Sequence, residues 1–159
     1  MTIWATLVWS NDKLIPEQTL VGILFASCRN TITIVKSEQT KFGYKILLSS
    51  SIRAELETLK AIQRTLLHFQ IESNLIPKES KSYPKPILKI TKIKNLHKLV
   101  QLILGGHTIN GGYANLPISM LTQWLEFERV INLIMSKIHY TTKGFDMIVK
   151  IKEGWNGGN

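Results

Sequence analysis

The side chains of this sequence best suited to chemistry are lysines. Seven of them (Lys78, Lys81, Lys85, Lys89, Lys92, Lys94 and Lys98) stand within one short stretch, against a single acid, Glu79. The whole chain carries a formal net charge of +9, whereas Asn115 to Asn159 holds five basic residues and four acids. The excess is therefore concentrated, as the electrostatic footprint of a polyanion partner is. Nucleic acid is the expected partner; charge pattern alone leaves a solvated surface and an anionic membrane as alternatives. Other reactive residue types form weaker sites. His68, His97, His107 and His139 show no pair at metal-ligand spacing, so no zinc site is expected. Cys28 is the single cysteine, which excludes an internal disulfide. At the end of an apolar helix it reads as a small filler. "GGHTINGG" lacks the Gly-Lys-Ser/Thr ending of a phosphate-cradling loop and reads as a connection.

These residues need a frame. With 159 residues, 44% of them hydrophobic, the chain is sized for one domain and one core. No apolar run approaches the roughly 20 residues that span a bilayer. "MTIWATLVWSNDK" carries Asp12 and no Arg, unlike a transit peptide, and a soluble chain is expected. Richness in Ile and Lys with little Arg accompanies AT-rich genomes such as those of organelles.

Along the chain, "TIWATLVW" has strand-like content, but Trp4 and Trp9 fall on opposite faces. Pro16 opens a helix to about Cys28, with Glu17 near the positive end of its dipole. "NTITIVK" places Ile32 and Ile34 opposite Thr31 and Thr33, and "FGYKILLSS" places Tyr44, Ile46 and Leu48 opposite Lys45, giving two antiparallel strands. Helical spacing of Ile52, Leu56, Leu59, Ile62 and Leu66 predicts a second helix with Ser51 as its cap. "FQIESNLIP" and "KPILKITKI" supply two more strands around the loop "KESKSYPK". "NLHKLVQLIL" makes a third helix capped by Asn95 and ended by Gly105 and Gly106. Two further helices follow the Gly-rich connection, one from about Ile118 to Ile138, the other capped by Thr141 or Thr142 and stopped near Gly154.

This α, β, β, α, β, β, α order, with "LVGILFASC" (Leu20 to Cys28) at its start, resembles the LAGLIDADG family of homing endonucleases and intron maturases. "YKILLSSSIRAELETLKAIQRTL" and "LKITKIKNLHKLVQLIL" are similar to its later strand-helix passages. "KIHYTTKGFDMIVKIKEGWN" resembles the closing pattern of organellar members at Lys137, His139, Thr141, Gly144, Ile148, Ile151, Lys152 and Asn156, with Trp155 replacing a usual Met. The resemblance covers roughly Pro16 to Asn156. It divides the chain into an N-terminal extension (1–15), the domain (16–156) and a tail (157–159). It implies an α+β fold with a four-stranded antiparallel saddle sheet and extra C-terminal helices.

The family's motif helix pairs with a like helix, and its last acid binds a divalent metal at the scissile phosphate. Gly22 and Ala26, four residues apart, keep a small helix face for such pairing. One motif copy implies a homodimer, or another protein on that face. The two acidic positions, however, fall on Phe25 and Ser27, so no catalytic acid and no metal are expected. Glu17 lies about 15 Å from Ser27 along a helix and is out of reach. The resemblance thus points to a nucleic-acid-binding protein that has lost cleavage, binding structured RNA as a maturase or within an organellar, most simply mitochondrial, ribonucleoprotein. Lys36, Lys45, Lys85, Lys89, Lys92 and Lys94 would contact phosphates, and Lys94 aligns with a basic residue near the scissile phosphate of family nucleases. The alternative is a magnesium-dependent endonuclease acting on double-stranded DNA.

Overall fold

The computed structural model describes residues 13–40, 43–78, 85–106 and 117–157. Helix α1 (Glu17–Ser27) leads into strands β1 (Arg29–Lys36) and β2 (Tyr44–Arg53). Helix α2 (Leu56–His68), strands β3 (Asn74–Ile76) and β4 (Ile87–Ile90) and helix α3 (Ile93–Gly106) complete the expected order. Helix α4 (Ile118–Met135), a 3-10 turn (Ile138–Tyr140) and helix α5 (Thr142–Gly157) follow. All four strands join one antiparallel sheet in the spatial order β1-β2-β4-β3.

Side-chain alternation gives this sheet two unlike faces. Ile32, Leu48, Ile52, Leu88 and Ile90 are buried on one face. Against it lie α1 and α3, which contact β2, and α2, which contacts β3 and β4. The core therefore sits between sheet and helices, and the opposite face mixes polar and charged residues with exposed Val35 and Leu47 and a buried Ile87. Helix α1 buries Leu20, Val21, Leu24 and Phe25, while Gly22 and Ala26 are exposed. The last carbonyls of a helix have no partner within it. Here Trp124 Nε1 donates to Phe25 O at 3.1 Å, so buried α4 side chains secure the end of α1. Replacing Trp124 with Phe keeps most of the apolar contact but removes that donor. A loss of about 1–3 kcal/mol is expected in denaturant titration.

Several boundaries differ from expectation. Ser51 and Ile52 belong to β2, paired with Lys89 and Leu88, and do not open α2. Ile52 fits the helical spacing of α2, but a central strand needs partners on both edges, and pairing to β4 carries the strand on to Arg53. Helix α2 starts at Leu56 without a side-chain cap. After it, Gln70 turns left-handed (φ 62) and Ile71 N donates to Leu66 O, so β3 begins only at Asn74. Lys98 Nζ holds that turn by donating to Gln70 O at 3.0 Å.

Asn95 lies inside α3 rather than capping it. Buried there, its Oδ1 accepts the Glu72 N–H at 3.1 Å and ties the loop before β3 to the helix. Helix α4 stops at Met135, short of Ile138, because Lys137 turns left-handed (φ 61). Thr141 does cap α5, its Oγ1 accepting from Gly144 N at 3.0 Å, and the helix continues past Gly154. Ile15, assigned above to the N-terminal extension, is buried, and its N–H donates to Thr65 Oγ1 at 3.0 Å. "TIWATLVW", residues 107–116 of the Gly-rich connection, His107 among them, and Glu79 to Pro84 lie outside the described residues. Among the described residues no helix is long and apolar enough to cross a membrane.

Candidate nucleic-acid interface

The register brings particular residues together on the open face. Alternating from exposed Thr33 and Leu47, that face carries Arg29, Thr31 and Val35 on β1, and Lys45, Ser49, Ser51 and Arg53 on β2. Lys89 on β4 joins it, flanked by Ser51 of β2 and Asn74 of β3. Thr31 and Ser49 share a hydrogen bond between their hydroxyls, fixing two polar groups in the middle of the surface. Four cations from three strands thus share one surface, and no strand contains an acid. Lys85 extends the surface at the edge of β4, where it lines a cavity with Arg53 and Glu55.

Of the six lysines expected to bind phosphate, Lys45, Lys85 and Lys89 meet at this face. Lys36 does not, because it shares parity with Ile32 and Ile34 and sits opposite Tyr44 at the strand end. Lys92 pairs with Glu72 at 3.7 Å, an exposed ion pair of small energetic weight. Lys94 is exposed in the first turn of α3. Arg29 and Arg53 were missed by counting lysines. Parity was the available signal, since each lies two residues from a polar residue of the open face.

The two positions aligned with acids diverge. Phe25 is buried in the core, whereas Ser27, the last residue of α1, is exposed. Beside Gly22 a Cβ would meet nothing within 4 Å, so the small face of α1 is open to a close neighbour. Glu72 faces Lys92. Among the described residues no three His, Cys, Asp or Glu side chains converge as metal ligands. Burial lowers the His139 pKa, favouring the neutral ring, which stacks on Tyr140.

Cys28 follows α1 and is packed against the core. Burial pushes its thiol up to about 12 from an ordinary 9.0, and a hydrogen bond with Ser50 opposes the rise only in part. At neutral pH this leaves about a thousand-fold less thiolate, the reactive form. Native Cys28 is therefore expected to resist a thiol reagent that labels it promptly in denaturant. The raised pKa also sets a sign: the thiol's contribution to stability is complete below about pH 9 and is lost as pH rises toward 12.

No family model matches the sequence, and no curated protein matches it. Solved structures do match in shape. The homing endonuclease I-TnaI superposes with a TM-score of 0.73 at 18% identity, covering 92% of each chain. The I-SmaMI LAGLIDADG homing endonuclease bound to cleaved DNA gives 0.68 at 20% identity, over 87% of this chain and 44% of that one. The LAGLIDADG meganuclease I-CpaMI bound to uncleaved DNA gives 0.68 at 20% identity over the same shares. This chain spans less than half of the latter two. Its fold is LAGLIDADG-like: an α+β domain built on a four-stranded antiparallel sheet.

Proposed function

We infer that this chain is a nucleic-acid-binding protein of LAGLIDADG-like fold that holds structured RNA on the open face of its sheet and has lost the chemistry of cleavage. The observation that carries this reading is the set Arg29, Lys45, Arg53 and Lys89 on a face whose strands contain no acid. Such cations grip phosphates and orient a strand without reading its sequence. RNA is favoured because the family that the sequence resembles includes intron maturases and because a binder of RNA has no need of the acids absent at Phe25 and Ser27. The small face at Gly22 and Ala26 takes a second copy of the chain or another protein. An organellar, mitochondrial ribonucleoprotein is the proposed setting, in keeping with the sequence composition.

Binding is expected to be strongly salt-dependent. Five phosphate contacts, from Lys85 and the four cations above, would give a slope of log affinity on log salt near −3.5 for a single strand or −4.5 for a duplex. Changing Lys45, Arg53 and Lys89 together to Gln should flatten that slope by about 2 to 3. A salt-independent affinity would refute this surface as the interface.

A second reading, a double-stranded DNA endonuclease, is favoured by the structural neighbours whose complexes contain DNA. Competition between an RNA hairpin and a DNA duplex for the chain separates the two ligands, and a cleavage assay separates the two activities.

A further inference from the structure

Beside the edge strand β1 lies a cavity of about 520 Å³, lined by Arg29, Asn30, Thr31, Gln123, Lys152 and Trp155 together with Ile32. Its size falls within the range of small-ligand pockets, roughly 300–1,000 Å³. Its chemistry is one-sided. Arg29 and Lys152 supply two cations, Gln123 supplies an amide donor, and no acid is among the lining residues. Neither cation has an ion pair or hydrogen bond among the described residues. Asn30 is buried, with its Oδ1 accepting from Ser50 Oγ at 2.7 Å. Its Nδ2 has no partner among the described residues.

Trp155 gives the cavity an aromatic wall whose position is set from behind. Its Nε1 donates to Glu126 Oε1 at 3.0 Å, and its ring packs on Phe127 with centroids 6.0 Å apart. Lys152, in the same closing segment, makes none of the structural contacts its neighbours make. Lys137 makes the left-handed turn, Thr141 caps α5, Gly144 admits the Ile138 carbonyl and Ile148 fills the core. Half-buried Lys152 does none of these things and borders the cavity.

We propose that this cavity is a pocket for a single nucleotide unit, with the phosphate between Arg29 and Lys152 and the base against Trp155. Two cations beside an amide suit a phosphate, and the indole suits the planar base attached to it. Arg29 belongs to both the cavity and the open face, so a strand lying on the sheet can deliver one nucleotide over the edge of β1. This assignment rests on the nucleic-acid reading above, but it makes a separate demand of the protein.

The test titrates the full chain with AMP, adenosine, inorganic phosphate and a short RNA oligonucleotide, following the Trp155 indole N–H by NMR. AMP is expected to shift that resonance, with adenosine and phosphate each binding at least tenfold more weakly. Lys152→Gln should weaken AMP at least tenfold and Lys152→Arg should restore it, while Lys45→Gln with Arg53→Gln should leave it unchanged. A shift of the same resonance by the oligonucleotide, lost in Lys152→Gln, would identify the strand as the source of the nucleotide. A shift with free AMP alone would overturn delivery from a strand. Phosphate binding as tightly as AMP, or an unmoved indole with both AMP and the oligonucleotide, would overturn the pocket. RNA binding that persists while AMP fails would refute this site alone; loss of RNA binding with AMP intact would refute the open face instead.

Discussion

Incubated with magnesium and duplex DNA, the chain is expected to leave the DNA uncut. Metal-assisted hydrolysis of a phosphodiester needs hard carboxylate oxygens to hold the ion that stabilises the attacking and leaving oxygens. At the two relevant positions stand a buried Phe25 and a neutral hydroxyl, Ser27. The two positions are not equivalent. Phe25 lies within the core, and a carboxylate there would be desolvated without a partner. Ser27 is exposed at the end of α1, so an acid can be restored there without disturbing packing. A carboxylate at a helix C-terminus is itself disfavoured by the dipole. Ser27→Asp is therefore expected to bind magnesium only if α1 pairs with a like helix and two such acids share the ion. Calorimetry on Ser27→Asp tests the pairing, and gel analysis of the unmodified chain tests cleavage. Magnesium-dependent double-strand breaks, lost when one of the chain's own acids is changed, would promote the endonuclease reading.

The largest expected loss of stability comes from Gly144→Ala. A Cβ at this position would lie 2.1 Å from the Ile138 carbonyl oxygen and 2.7 Å from its carbon. These are backbone atoms of the 3-10 turn, held by Thr141, whose N–H and hydroxyl both donate to the same Ile138 oxygen. Relief requires moving the turn away from α5 and disturbing the Thr141 cap. Overpacking against fixed backbone costs about 3 kcal/mol. For a domain of this size that lowers the melting temperature by roughly 6–12 °C. Gly22→Ala is the matched control. Its Cβ enters open space in a helix interior, where alanine is better than glycine by roughly 1 kcal/mol. A thermal melt of both variants checks the contrast, and equal melting temperatures would refute the packing argument.

Much of this architecture is written in local patterns. The alternation in "NTITIVK" and "YKILL" places apolar residues on one side of a strand whatever the partner. The helical spacing of Leu59, Ile62 and Leu66 likewise selects one helix face. Period and chain order were therefore enough to anticipate the αββαββα sequence and the outward Gly22 and Ala26. What they could not supply was anything defined by two distant segments. Counting lysines from Lys78 to Lys98 treated them as one surface. In the folded chain Lys98 holds a turn, Lys92 faces Glu72 and Lys89 joins Arg29, Lys45 and Arg53 across the sheet. Asn95 read as a cap because a cap is a local device, yet its hydrogen bond goes to Glu72, 23 residues away. Ile52 fitted a helix by spacing and was claimed by β4 through pairing. Trp124 meets the end of α1 across 99 residues. A side chain's face follows from the period of its own element, but its partner follows from register and packing, which exist only once the elements have come together.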